Sequence, residues 1–194
     1  MRFERLVVVC IVVAAMTGSC DLLKTRDPQP PDQENTANPP ATTPQVLMSN
    51  LQLSFANKNV NDYEKLFSDT GSIGKQYAFI PTQKAAASYS TFFSHWTKDS
   101  EGNYFRKAMA SVNADFTPQV LFTGPPVLTP FQSDSALYEA NYSVFISPTT
   151  YTGHARFFLI PNKNAGTWVI YRWEDFPPGQ DSLSWSDLKG QFSQ

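Results

Sequence analysis

Three long runs rich in aromatic and β-branched residues constrain the fold of this chain more than any other feature. They cover residues 136–146, 151–160 and 167–173, and short turns separate them. Such runs are typical of β-strands, and consecutive strands joined by short turns pair in an antiparallel manner. In the first run, alternate residues share one face, which predicts that this face is buried: Ala136, Tyr138, Ala140, Tyr142, Val144 and Ile146.

Helical patterns precede these strands. Thr43 is a suitable helix N-cap and Pro44 suits the first helical position, and a second short helix is predicted from Val60 to Phe67. Residues 77–80 predict a short strand, residues 83–97 a helix, and residues 101–109 a further helical turn. Two shorter strands are predicted at 116–122 and 127–131. Helices followed by a long antiparallel sheet indicate an α+β architecture.

Two segments carry a resemblance to a known family. The helix pair at 51–68, with Tyr63, Leu66 and Phe67 in a Tyr-x-x-Leu-Phe pattern, and the final strand at 166–175 resemble the NTF2-like, or SnoaL-like, superfamily. The resemblance covers about residues 45–176. It implies a cone in which N-terminal helices pack on a strongly curved antiparallel sheet. Members of that superfamily include isomerase-like and cyclase-like enzymes as well as binding and accessory domains, so the fold alone leaves the function open.

The N-terminus predicts export. Arg2 and Arg5 precede an apolar run at 6–15, and small residues follow it up to Cys20. This order is typical of a signal peptide, and about ten apolar residues are too few to span a bilayer, which takes ~20. Residues 17–20 resemble a bacterial lipobox, which implies that Cys20 carries acyl chains such as palmitate and anchors the protein to a membrane. The alternative, an ordinary cleaved signal, would leave Cys20 as a lone thiol.

The predicted organisation has three parts: a signal peptide at 1–19, the lipidated Cys20 with a disordered proline-rich tether to residue 44, and a domain at 45–194. Six prolines within 24–44 and the lack of large aliphatic residues there favour an extended, solvated spacer. Residues 176–194 are expected to form a strap over the sheet. Ser184 and Asp187 form a capping-box pattern there, and Trp185, Leu188 and Phe192 lie on one side. A docking peptide for a partner is the alternative.

Composition excludes several classes of function. The net charge of −2 without a basic stripe argues against nucleic-acid binding. Both cysteines, Cys10 and Cys20, lie in the first twenty residues, so the predicted domain has no disulfide framework. With two histidines and no clustered carboxylates, the sequence predicts no metal site and no cofactor.

Isomerase-type chemistry would require a carboxylate base near hydrogen-bond donors. The catalytic candidates are Glu139, His154 and Arg156, which the meander would bring together across two strands. The alternative reading is a cross-strand pair on the solvated face of the sheet.

The sequence therefore favours a membrane-anchored cell-envelope lipoprotein, at the inner or outer membrane, with a non-catalytic NTF2-like accessory module. Its expected partners are the membrane, through Cys20, and a small apolar ligand or another envelope protein. The alternatives are a cavity enzyme of the ketosteroid isomerase type acting on an apolar carbonyl substrate, and a structural domain that forms homodimers.

Overall fold

A computed structural model describes residues 38–132, 134–179 and 182–194 of the chain. The signal peptide, Cys20 and most of the predicted tether lie outside these residues. The helices are α1 (Pro44–Ala56), α2 (Val60–Glu64), α3 (Thr70–Ile73), α4 (Gln83–Ser88), α5 (Ser90–Phe93), α6 (Lys98–Ser111) and α7 (Trp185–Gln191). The strands are β1 (Ala78–Ile80), β2 (Gln119–Phe131), β3 (Ser135–Ile146), β4 (Thr149–Asn162) and β5 (Thr167–Phe176).

The strands form one sheet in the order β1-β5-β4-β3-β2. Strands β2 to β5 pair antiparallel, which confirms the predicted meander. The sheet is mixed at one edge, because the short strand β1 pairs parallel with β5. A parallel neighbour requires a long crossover, and the chain between β1 and β5 supplies it. Register shifts in the β2–β3 and β4–β5 pairings interrupt the ladders and favour curvature.

Strand β2 corrects one prediction. The two strands expected at 116–122 and 127–131 are one strand, whose register shifts between Thr123 and Val127. The shift contains Pro125 and Pro126, which donate no backbone hydrogen bond. An edge strand tolerates them because one of its sides has no neighbouring strand. Gly124, at φ 75°, supplies a left-handed conformation at this irregularity.

The predicted helices are present at the expected positions, but their lengths differ from the prediction. The helix expected over 83–97 is two short helices that meet at Tyr89. The helix expected from 60 to 67 ends at Glu64. Thr43 caps α1 by accepting a hydrogen bond from the Val46 amide, as predicted. The helix α2 packs on α1 and α6, and α4 packs on α7. Helices this short depend on such packing more than on their own propensity.

The folded region begins earlier than predicted. Residues 38–43 fall in the range assigned to the tether, yet they pack on α1 and β5. The Asn38 side chain donates to the Asn50 carbonyl at 3.1 Å, and the Trp168 amide donates to the Ala41 carbonyl at 2.7 Å. The Asn50 side chain also donates to the Pro39 carbonyl at 2.7 Å, so hydrogen bonds hold this segment on the domain.

The core lies between the helices and one face of the sheet. The six alternating residues of β3 predicted to share a face are all buried there. Helix α7 also lies in this space, with Trp185 and Leu188 fully buried. We call the space between the helices and this face the cone. None of the helices within the described ranges is long and apolar enough to cross a bilayer.

Candidate functional site

A buried carboxylate, Glu101, lies at the centre of the cone. The capping box of Thr97 and Ser100 starts α6, and it fixes which residues of that helix face inward. Glu101 lies on the same helical face as Tyr104, Phe105 and Ala108, and its exposed fraction is 0%. A carboxylate in such a place requires hydrogen-bond donors or a cation, because an unpaired buried charge is strongly unfavourable.

Three aromatic side chains donate to Glu101. The Tyr63 hydroxyl donates to Oε1 at 2.7 Å, while the Tyr77 hydroxyl and Trp96 Nε1 donate to Oε2 at 2.9 and 2.7 Å. Tyr104 extends this network, because its hydroxyl lies 3.1 Å from that of Tyr63. The donors come from α2, from the segments that precede β1 and α6, and from α6 itself, so the network ties several elements together.

The cation is Lys189 of α7. Its Nζ lies 2.7 Å from Oε1 and 2.8 Å from Oε2 of Glu101, and its exposed fraction is also 0%. Nζ lies 3.6 Å from the ring centroids of both Phe79 and Trp173, a distance typical of cation–π contacts. The ammonium is thus held by a carboxylate on one side and by aromatic faces on others.

Burial changes the proton affinities of this cluster. Burial, and secondarily the charge of Glu101, raises the pKa of Tyr63, Tyr77 and Tyr104 well above the usual value, so these hydroxyls stay neutral donors. Burial lowers the pKa of Lys189 from 10.5 to about 8, and the charge of Glu101 opposes this effect. At neutral pH Lys189 is therefore still mostly an ammonium.

The chain's own side chains occupy the cone. The ring of Trp185 lies 4.5 Å from that of Trp173 and 5.5 Å from that of Phe55, in edge-to-face geometry. Trp185 Nε1 also donates to the Tyr104 hydroxyl at 3.0 Å. Helix α7 consequently takes the position between helices and sheet that a ligand of an open cone would occupy.

A second buried carboxylate, Asp175, attaches α7 to the end of β5. Oδ1 accepts from the Tyr142 hydroxyl at 2.6 Å, and Oδ2 accepts from the Ser186 amide at 2.7 Å and its hydroxyl at 2.5 Å. Burial raises the pKa of Asp175, and these hydrogen bonds oppose that effect. A raised carboxyl pKa is a property of many catalytic acids. Here both oxygens are engaged by donors of the domain itself, which is the pattern of a structural contact.

A cleft of about 570 Å³ lies beside Asp175 on the outside of the domain. Its apolar residues include Ile80 and Phe176, whose exposed fractions are 46% and 38%, together with Pro81 and Pro177. Its charged residues are Lys84, Glu174, Asp175 and Asp187. An apolar surface framed by a few charged groups is the usual composition of a ligand site.

The predicted catalytic candidates lie together, away from the cone. Glu139 and Arg156 face each other across β3 and β4, and Arg156 Nε donates to Glu139 Oε1 at 2.6 Å. His154 Nε2 lies 3.7 Å from the same oxygen, and its Nδ1 lies 3.1 Å from Asn141 Oδ1. Arg156 and His154 are about 40% exposed on the outer face of the sheet. This geometry is that of a cross-strand surface cluster.

Cys20 lies outside the described residues, so the structure adds nothing on lipidation. Within the described ranges, no three His, Cys, Asp or Glu side chains form a group that could hold a metal ion.

Glu101 and Lys189 were missed by reasoning from sequence. One signal was present: Glu101 precedes Tyr104 and Phe105 by three and four residues, so a carboxylate falls on an apolar helical face. Lys189 likewise follows Trp185 by four residues on the predicted terminal turn. Nothing in the sequence indicated that the two would meet, because they lie on different elements.

No family model matches the sequence, and no curated protein matches it. Solved structures do resemble the domain. A member of the NTF2-like family from Streptomyces avermitilis superposes with a TM-score of 0.53 at 9% identity, covering 70% of this chain and 94% of that one. A protein from Novosphingobium aromaticivorans superposes with a TM-score of 0.53 at 13% identity, covering 82% of this chain and 99% of that one.

The protein Rv3472 of Mycobacterium tuberculosis, of unknown function, gives a TM-score of 0.50 at 14% identity over 71% and 70% of the two chains. Identities this low establish a fold and leave the activity undetermined. The described part of this chain has the NTF2-like fold.

Proposed function

We propose that this protein is an exported lipoprotein, anchored to a bacterial membrane through Cys20, whose NTF2-like domain is a non-catalytic binding module. One observation carries the proposal for the domain. Trp185 and Lys189 are completely buried within the cone, so the chain fills the space in which a cavity enzyme would hold its substrate. A ligand or partner must therefore meet the outside of the domain.

The outer cleft is the surface best suited to such contact. Ile80 and Phe176 present large apolar side chains to solvent there, next to Glu174 and Lys84. Exposed apolar residues grouped in a concave surface are typical of binding sites. The expected ligand is apolar, either a small molecule or the side chain of another envelope protein.

Nuclear magnetic resonance separates binding in the cleft from binding in the cone. The full chain carrying Cys20→Ser is titrated with a set of small apolar fragments. We expect the backbone amide signals of Ile80 and Phe176 to shift, and the indole signals of Trp173 and Trp185 to remain in place. Shifts of the two indole signals would show that the cone accepts ligands and would contradict the proposal.

Two substitutions make the cleft experiment specific. Phe176→Ser removes an apolar wall of the cleft, whereas Leu121→Ser removes a residue of similar character on β2, where its exposed fraction is 51%. Fragment affinity is expected to fall for Phe176→Ser and to stay unchanged for Leu121→Ser. Equal affinities for both variants would argue against the cleft.

The membrane anchor has its own test. The full chain and its Cys20→Ser variant are expressed in a bacterium and separated into membrane and soluble fractions. We expect the membrane fraction to hold the unsubstituted protein, with an N-terminal peptide that begins at an acylated Cys20, and Cys20→Ser to leave that fraction. An unmodified Cys20 peptide would contradict lipidation without bearing on the cleft.

A further inference from the structure

The surroundings of Lys189 have the composition of an ammonium-binding site. Glu101 supplies two carboxylate oxygens at 2.7 and 2.8 Å from Nζ. Phe79 and Trp173 each place a ring centroid 3.6 Å from Nζ, and the rings of Tyr104 and Trp96 lie at 5.5 and 5.7 Å. A carboxylate combined with several aromatic faces is how proteins recognise ammonium ions.

All the groups that contact the ammonium belong to elements other than α7. Glu101 also accepts hydrogen bonds from Tyr63, Tyr77 and Trp96, which likewise lie outside α7. The carboxylate is therefore oriented in advance, with both oxygens directed toward one place. Such a carboxylate favours a cation beside its oxygens, because a buried charge is stabilised by a counter-ion.

We propose that the cone contains a binding site for primary alkylammonium ions, which Lys189 occupies from within the same chain. The ligand class follows from the contacts. A primary ammonium has three N–H donors, enough for both oxygens of Glu101, and its alkyl chain lies along the aromatic walls as the lysine methylenes do. This proposal is independent of the membrane anchor and of the outer cleft.

Replacing Lys189 with Ala empties the proposed site, so that binding of an added ammonium ion can be measured. The substitution removes three methylene groups and the ammonium but leaves the Cβ in place. The n-propylammonium ion has the same three carbons and the same charged group, so it matches the vacated space. The helix retains Trp185 and Leu188 as its other core residues.

The full chain carrying Lys189→Ala is unfolded by heating at pH 7 in increasing n-propylammonium chloride, up to about 100 mM. We expect a saturating rise of the Tm of about 3 °C or more, as mass action requires for a ligand that binds only the folded state. Equal concentrations of n-propanol or sodium chloride should produce a clearly smaller rise. The unsubstituted protein should show no response specific to n-propylammonium, because Lys189 already fills the site.

Glu101→Gln combined with Lys189→Ala is the matched control, since it keeps the cavity and removes the carboxylate. Its Tm should not respond to n-propylammonium beyond the response to n-propanol. If Lys189→Ala alone does not fold, the same titration is followed by circular dichroism, and folded signal should return with n-propylammonium and not with n-propanol.

Three results would overturn the proposal. One is an absence of any Tm shift or recovered folding in Lys189→Ala. Another is an equal effect of n-propanol, which would show an apolar cavity without charge recognition. The third is an undiminished effect of n-propylammonium in the double variant.

Discussion

Lys189 Nζ lies within hydrogen-bond distance of both carboxylate oxygens of Glu101, and neither side chain has any solvent-exposed surface. The two residues belong to α7 and α6, which lie 88 residues apart in the chain at this contact. A buried ion pair adds little net stability compared with an apolar pair of the same shape, yet removal of one member leaves a charge without compensation. The contact therefore fixes where α7 docks.

Substitution of Lys189 with Met should lower the free energy of unfolding by about 3–5 kcal/mol, because Glu101 stays buried without its cation. Urea unfolding followed by circular dichroism measures this change. Lys84→Met is the matched control, since Lys84 is exposed on α4, and its effect should stay within about 0.5 kcal/mol. Similar losses of unfolding free energy in both variants would show that the Glu101–Lys189 ion pair is not important for stability.

The free energy of unfolding should depend on pH through Lys189. Burial lowers its pKa from 10.5 to about 8, so between these values the unfolded chain holds a proton that the folded chain has released. Stability is then expected to rise with pH across that window, with a slope of at most ~1.4 kcal/mol per pH unit. Glu101 and Asp175 favour the charged lysine and reduce this effect.

Urea unfolding of the unsubstituted protein and of Lys189→Met between pH 7.5 and 9.5 measures the contribution of Lys189 to the pH dependence. Only the unsubstituted protein contains the Lys189 ammonium. Above about pH 10 the unfolded tyrosines lose protons that buried Tyr63 and Tyr104 retain, which lowers stability again. Identical pH slopes for the two proteins would mean that the pKa of Lys189 is not lowered.

The Tyr142 hydroxyl joins three elements, because it donates to Asp175 and accepts from the Trp185 amide at 2.7 Å. Tyr142→Phe leaves Asp175 Oδ1 and the Trp185 amide buried without the hydrogen bonds that the hydroxyl provides, so we expect a loss of about 2–4 kcal/mol. Tyr151→Phe removes a single, partly buried hydrogen bond to Gln191 and should cost about 1 kcal/mol. Equal losses in thermal or urea unfolding would contradict the role of Asp175 in docking α7.

The Glu139–Arg156 pair should contribute little. Its side chains are 22% and 45% exposed, and ion pairs of this kind are weakened by solvent. A double-mutant cycle with Glu139→Gln and Arg156→Gln is expected to give a coupling free energy below about 1 kcal/mol that shrinks as salt is added. A coupling above 2 kcal/mol would reveal a stronger interaction than the surface geometry supports.

Gly153 permits close packing between β4 and the end of β5. A Cβ at this position would lie 2.6 Å from the Phe176 carbonyl oxygen and would also meet the Tyr142 hydroxyl. Gly153→Ala should therefore destabilise by about 1–3 kcal/mol, because backbone atoms cannot move aside as a side chain can. At Gly102 the obstructing atoms belong to the flexible Glu64 side chain, so Gly102→Ala should be close to neutral. If Gly153→Ala and Gly102→Ala both leave the Tm in thermal unfolding unchanged, Gly153 is not required for the close packing of β4 on β5.

The sequence alone determined the elements that depend on local pattern. Alternation in β3 identified which residues are buried, because strand side chains alternate between two faces. The capping box at Ser184 and Asp187 was likewise visible before the structure, since its hydrogen bonds span only three residues. The fold class followed from the order of these elements.

Tertiary structure alone decided the rest. The parallel pairing of β1 with β5, the packing of residues 38–43 and the meeting of Glu101 with Lys189 all join segments that are far apart in the chain. Local propensity and periodicity contain no information on such partners. The burial of these two charges becomes favourable only when the complete set of aromatic donors surrounds them, and that set exists only in the folded chain.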